Sequence, residues 1–365
     1  MRLNSVQYLR AFAALLVVLY HAAGHAANNM NLRPDFAFLD LGQYGVDLFF
    51  VTSGFIMVVT TVDKPSASEF MRKRLIRIVP LYWTVTLVYV LTEFAAPGLL
   101  RSSSRDAVHI LFSFLFVPAY HPRFVDHIWP VVIPGWSLNY EMFFYTLFGL
   151  ALVLSARYRS LLMVGAMMLL LAVPQFVQLE SPIWMTYTST LLLEFAFGIV
   201  VGEVFLMSKA SITGAVACLF VPIAAAALIY RLDGGAVWRA LLYGSISASL
   251  LSFVLYLEQS GARFSNKLVL SIGDASYSIY LLHFMIVASL RSMRVQLGLS
   301  STELVVDLMV VAAALALAIV VGLLSFALFE RPVTAWLKSA FVRNGSLPVV
   351  PAAEHSLSNF GMRKK

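Results

Sequence analysis

The sequence predicts an all-α protein, a polytopic membrane bundle of about ten transmembrane helices with one re-entrant or interfacial segment. Three observations carry this reading. Hydrophobic residues fill 60% of the 365 positions and charged residues only 12%, against about 25% charged in a typical soluble domain. Apolar runs close to the roughly 20 residues that cross a bilayer recur along the chain. The basic residues fall mostly in the short connections between those runs, where they set topology.

The spans are placed, in order, at 8–24, 45–62, 79–96, 134–155, 160–178, 185–207, 211–230, 238–257, 270–290 and 303–328. The run "DAVHILFSFLFVPAY" from Asp106 to Tyr120 is short, and polar, proline-bearing sequence follows it, so it reads as re-entrant or interfacial. With the N-terminus in the cytoplasm, 17 Lys and Arg residues lie on the cytoplasmic side and 8 on the other, as the positive-inside rule favours. Both termini are then cytoplasmic. Residues 1–343 form the transmembrane unit, and 344–365, small, polar and basic, read as a disordered cytoplasmic tail. Arg2 and Arg10 ahead of a short apolar core, with Ala22, Ala23 and Gly24 behind it, imitate a secretory signal peptide. The many later spans favour a retained first helix instead.

Composition also excludes function classes. The single cysteine, Cys218, sits in an apolar run, which removes an intramolecular disulfide and redox chemistry from consideration. The net charge of +7 resides in inter-helix connections rather than in a nucleic-acid-binding stripe, so no nucleic-acid partner is expected.

Ionisable residues inside apolar segments are costly and mark function unless they are locally satisfied. Arg10 and His21 are eleven positions apart, within about 20° of a whole number of turns, and so share a helix face about 16 Å apart along the axis. His25 continues the stripe. Snorkelling of Arg10 and carbonyl bonding by the histidines is the plainer account. His21 and His25 have metal-ligand spacing, but no glutamate follows as in H-E-x-x-H, and no metal is expected. In "YGVDLFFVTSGFIMVV", Asp47 stands near one end, either as a helix-start device or in a polar interior, and Gly54 permits close helix packing. "EFMRKRLIRIVPLYW" gathers Arg72, Lys73, Arg74 and Arg77, with Pro80 suited to opening a helix. This cluster sets topology, grips anionic lipid or clamps phosphates. Glu141 lies in the aromatic segment "PGWSLNYEMFFYTLFG", where an unpaired carboxylate is expensive; it serves a histidine or is structural. In "GDASYSIYLLHF", Ser276, Tyr280 and His283 form one polar stripe facing the interior. "LFERPVTAW" reads as a helix end at Glu330 and Arg331.

These elements, ordered from Tyr8 to Pro332, resemble the membrane-bound acyltransferase-3 family, bacterial O-acyltransferases of extracytoplasmic sugars. The carriers are the Arg10-x10-His21 pair, "GVDLFFVTSGF", "RKRLIRIVPLYW", "WSLNYEMFFY", "SYSIYLLH" and "FERP". The opening "NSVQYLRAFAALLVVLYH" is similar to that of enzymes acetylating rhizobial-type exopolysaccharide. The resemblance implies that His21 is catalytic with Arg10 as its partner, and that Arg74 and Arg77, with Arg72 and Tyr82 beside them, bind the acyl donor acetyl-CoA from the cytoplasm. His21 then acts as general base or carries the acetyl group itself. The acceptor it implies is a polysaccharide or lipid-linked oligosaccharide. It places the protein in the bacterial inner membrane, near polysaccharide-export machinery. No permanently bound cofactor is implied. One departure is Gln7, where many members carry Asp or Asn. Within this reading Glu141 steadies the His21 imidazole, while His25, Asp47, Ser276, Tyr280 and His283 line the substrate pocket. A transporter or flippase for a lipid-linked sugar, or an inactive scaffold of an export complex, would also need buried charge, but the paired broken helices of transporters are not evident.

Overall fold

A computed structural model describes residues 3–26, 42–63, 66–97, 100, 104–178, 180–207, 220–221, 223–226, 228, 237–298 and 304–343. The described residues are helical, without strands. In chain order the helices are α1 Asn4–Ala26, α2 Gly45–Thr60, α3 Ala67–Ala95, α4 Ala107–Phe114, α5 Trp136–Leu154, α6 Arg159–Ala172, α7 Pro182–Tyr187, α8 Leu192–Met207, α9 Trp238–Gln259, α10 Lys267–Asp274, α11 Ser276–Gln296, α12 Leu304–Ser325 and α13 Arg331–Arg343.

Among the described residues, seven helical stretches are long and apolar enough to cross a membrane: Asn4–Gly24, Gly42–Thr60, Ala67–Ala95, Ile133–Leu154, Pro182–Met207, Trp238–Gln259 and Leu304–Phe341. They answer to seven of the ten expected spans. The other three differ for separate reasons. The segment expected at 160–178 forms a helix over Arg159–Gln175, too short for the same test. The one at 270–290 is broken: α10 and α11 meet at 73° around Ala275, and counted as one span they make an eighth. The one at 211–230 lies largely outside the described residues, as do Cys218, the tail 344–365 and the side chain of His25.

Two local rules account for one further difference from the sequence reading and for the short segment at 106–120. The third span was expected to open at Pro80, yet α3 starts at Ala67 and runs through that proline. Its start is an N-cap: the Ser66 side chain accepts from the Glu69 amide at 3.2 Å, with Glu69 at the third helical position and paired with Lys73 at 2.6 Å. This early start makes the arginine cluster part of a helix rather than a connection. The segment 106–120 forms α4, capped by Asp106 accepting from the His109 amide at 2.8 Å. Eight residues rise only about 12 Å, too little to span. The chain then reverses at Phe116, whose φ of 59° is unusual for a residue with a side chain.

α1 lies inside the bundle, with Ala13, Ala14, Val18 and Ala23 fully buried, and packs against α2 and α9–α12. Its start is tied down: the Asn4 amide and the Ser5 hydroxyl donate to Glu258 at 3.0 and 2.6 Å, and the Tyr8 hydroxyl accepts from the Asn266 amide at 2.6 Å. α2 packs most closely on α8. A Cβ on Gly198 would meet the Val51 carbonyl and stand 2.9 Å from the Phe55 nitrogen, and one on Gly54 would meet the Phe195 carbonyl. Reciprocal glycines let the two backbones touch. An aromatic core of Phe50, Phe144 and Phe195 joins α2, α5 and α8, with ring centroids 4.6 and 4.4 Å apart.

Candidate active site

The arrangement of α1, α2, α3, α5 and α11 encloses a cavity of about 80 Å³ whose polar lining is Arg10, Thr52, Ser53, Arg74, Arg77, Ser137, Glu141, Tyr145, Ser276, Tyr277 and Tyr280. Phe49, Phe50, Ile56 and Met57 are among its apolar residues. Six residues singled out in the sequence, Arg10, Arg74, Arg77, Glu141, Ser276 and Tyr280, thus meet around one space. Each arrives by a local rule. Arg74 and Arg77 are three apart on α3 and share a face, Ser276 and Tyr280 are four apart on α11, and Arg10 sits one turn into α1 beyond Gln7, whose side-chain oxygen accepts from its Nη1 at 3.4 Å.

The charges in this cavity are partly matched. Glu141 accepts from the Ser53 hydroxyl at 3.2 Å and from the Tyr145 hydroxyl, and lies within electrostatic reach of both Arg10 and Arg74. Arg74 is anchored, donating to the Thr60 hydroxyl at 2.9 Å and stacking over Phe70 and Tyr145 at 5.4 and 5.8 Å. Arg77 carries no such anchor among the described residues. Tyr280 fixes the opposite wall, sharing a hydrogen bond with Ser137 at 2.9 Å and donating to the Pro134 carbonyl at 3.0 Å. Basic residues therefore outnumber the carboxylates on the wall, which suits an anionic ligand.

Beyond Tyr280, along the seam of α1 and α11, lies an imidazole pair. His21 Nδ1 is 2.9 Å from the Val17 carbonyl and 3.3 Å from His283 Nε2, and the two rings stand 4.9 Å apart. His283 Nδ1 bonds the Tyr280 carbonyl, and its ring centroid is 5.8 Å from that of Tyr280. Tyr20 and Phe284 flank His21 edge-on at 4.9 and 5.8 Å. The stripe expected from Arg10 to His21 thus starts at the cavity and ends at the histidine pair.

Several expected placements are corrected. The His21 ring is held by Val17 and His283, not by Glu141, whose partners are Ser53 and Tyr145. His283 is fully buried against α1 rather than lining the cavity. Asp47 is buried in another cluster, bound by Arg239 through two contacts of 3.0 Å, with Glu194 3.6 Å from the same guanidinium. Arg72 turns to the C-terminal helix, stacking over Phe341 at 5.4 Å. Tyr82 is fully buried, stacked on Phe116 at 4.7 Å and wedged under Gly135. Its ring lies against the turn at Ile133–Gly135 and is not part of the cavity wall.

Sequence reasoning missed Glu330, treated as a helix end at the membrane surface. It closes a π-helical turn, Phe326–Glu330, inside a continuous helix. The Ser278 hydroxyl donates to it at 2.6 Å, and it lies within electrostatic reach of Arg77 and Arg10. Widened turns of this kind re-aim side chains and often mark functional sites. The only sequence signal is an acidic residue directly before Arg331-Pro332. Ser53 and Tyr145 were also missed: Tyr145 follows Glu141 by four residues on the same face of α5, a spacing that signals contact, whereas nothing in the sequence pairs Ser53 with Glu141, 88 residues away.

A multi-pass helical membrane protein with a basic, carboxylate-balanced cavity at one end of a histidine-bearing seam is the class that fold and site define. The chain belongs to acyltransferase family 3, an enzyme family: residues 3–328 match its description, "Acyltransferase domain". It is 33% identical over 318 residues to the exopolysaccharide production protein ExoZ of Rhizobium meliloti (strain 1021), covering 86% of this chain and 94% of that protein. It is 32% identical to the acyltransferase MdmB of Streptomyces mycarofaciens over 41% of this chain and 39% of that protein. With the O-acetyltransferase OatA of Staphylococcus aureus (strain NCTC 8325 / PS 47) it shares 30% identity over 40% of this chain and 24% of that protein. No solved structure matches the chain significantly.

Proposed function

We propose that this membrane acyltransferase moves an acetyl group from cytoplasmic acetyl-CoA to a hydroxyl of an exopolysaccharide or its lipid-linked precursor. The observation that carries the reading is the continuity of one seam: a cavity lined by Arg10, Arg74 and Arg77, then Tyr280, then His21. The likeness to ExoZ along nearly its whole length supports a polysaccharide acceptor, and OatA supports O-acetyl transfer. The distribution of Lys and Arg supports both termini in the cytoplasm and a place in the bacterial inner membrane.

The donor's phosphates dock against Arg74 and Arg77, since guanidinium forks match phosphate oxygens. Lys338 of α13, within electrostatic reach of Lys73, Arg74 and Arg77, adds charge at the rim. The pantetheine arm then points along the α1–α11 seam. His21 takes the proton of the acceptor hydroxyl as general base, the oxygen attacks the acetyl carbonyl, the carbon–sulfur bond breaks, and the leaving thiolate of CoA receives that proton from His21, which returns to its neutral form. Arg10 and Glu141 hold the donor end of the cavity in a fixed charge pattern. The test is transfer of label from radiolabelled acetyl-CoA to glycan in membranes with wild-type protein and with His21→Ala. Loss of transfer with the variant still present in the membrane is expected. Transfer near the wild-type rate by His21→Ala removes His21 from the reaction.

A further inference from the structure

We infer that His283 is a positioning residue that holds His21 in a single tautomer, with hydrogen on Nδ1 and the basic lone pair on Nε2. This rests on the reading of His21 as the reacting base, and it identifies which of its two nitrogens reacts.

The assignment follows from acceptors whose chemistry is fixed. A backbone carbonyl only accepts, so His283 Nδ1, bonded to the Tyr280 carbonyl, carries hydrogen. A neutral imidazole with hydrogen on Nδ1 presents a lone pair at Nε2. That lone pair faces His21 Nδ1 at 3.3 Å. The same His21 nitrogen stands 2.9 Å from the Val17 carbonyl. Both neighbours accept, so His21 Nδ1 carries hydrogen, shared between them, and Nε2 is left free to take a proton. When it does, the positive charge reaches an N–H that already has two acceptors. A histidine in this place therefore supplies what a carboxylate supplies in other acid–base sites, orientation and tautomer choice, without a second buried charge.

Ala14, Val18, Ala275, Ile279, Val287 and Ala314 are buried along the seam of α1, α11 and α12, and a histidine beside such residues is costly unless its nitrogens are used. His283 is fully buried and uses both.

Two substitutions separate the role from bulk. Gln at 283 places an amide oxygen where Nε2 stands and accepts from His21; Met fills the space and accepts nothing. Purified protein in lipid nanodiscs, labelled with ¹⁵N in histidine side chains, reports the tautomer of His21 by NMR, with His21→Gln assigning its signals. Transfer rates with radiolabelled acetyl-CoA and native envelope polysaccharide supply kcat and KM. Expected are a wild-type His21 in the Nδ1–H form, a mixture in His283→Met with kcat lowered at least about tenfold and donor KM unchanged, and near-wild-type values for both readouts in His283→Gln. A wild-type His21 in the Nε2–H form overturns the inference even if no variant folds. So does His283→Met with wild-type kcat and tautomer, or His283→Gln failing as fully as Met. The tautomer is read without turnover, so activity retained by His21→Ala sinks the proposed mechanism while leaving this result to stand or fall separately.

Discussion

Arg77→Gln isolates the donor end of the cavity. Arg10, Arg74 and Arg77 face two carboxylates, Glu141 and Glu330, within electrostatic reach. With both carboxylates ionised the group carries one excess positive charge, and Arg77 is the arginine without an anchoring hydrogen bond among the described residues. Replacing it brings the group to neutrality and removes one charge-assisted contact to a phosphate oxygen, about 1.5–3 kcal/mol. At 1.4 kcal/mol per factor of ten, KM for acetyl-CoA rises roughly tenfold to a hundredfold or slightly more. Folding changes little, because Arg77 is repelled by Arg10 and attracted by Glu330 at once. The assay is initial rate of label transfer over a range of acetyl-CoA concentrations, paired with thermal denaturation in detergent. An unchanged KM, or a fall in kcat alone, refutes the placement of the donor phosphates at Arg77.

Three further outcomes follow from the packing. Gly198→Ala forces α2 and α8 apart at Val51 and Phe55 and lowers stability by about 1–3 kcal/mol; a melting temperature equal to wild type contradicts the contact. Asp307→Asn removes the carboxylate charge that Arg294 meets at 2.7 Å, with both side chains buried, a loss of about 3–5 kcal/mol. Arg294→Met combined with Asp307→Leu recovers much of it in the same melt. His109 lies outside the spanning helices, and burial holds its basicity below the usual histidine value. The unfolded chain then binds the proton more readily, so its contribution to stability is complete above about pH 6.5 and is lost as the pH falls through that value toward the lower folded one. His109→Gln flattens the acid side of a stability–pH curve; an unaltered curve excludes the assignment.

Much of the site was legible because it depends on spacing within single helices. Eleven residues separate Arg10 from His21 and three separate Arg74 from Arg77, and the helical period alone puts each pair on one face. Glu141 stood out because a carboxylate in an aromatic span needs a partner. The partner itself was not legible: Ser53 lies 88 residues away and His283 lies 262 residues from His21. Span counting did not show the break at Ala275, since hydropathy averages over a bend.

By itself the sequence determined a helical membrane protein, the faces on which its ionisable residues lie, and the end of the bundle at which positive charge collects, because hydrophobicity and a 3.6-residue period are local properties. Only the tertiary structure decided that His21 meets His283 rather than Glu141, that Asp47 is spent on Arg239, and that a π-helical turn swings Glu330 toward Arg10 and Arg77. Those choices depend on which helix faces come together, and that is fixed by close approaches such as Gly54 on Phe195 and Gly273 on Gln7, between residues far apart in the chain.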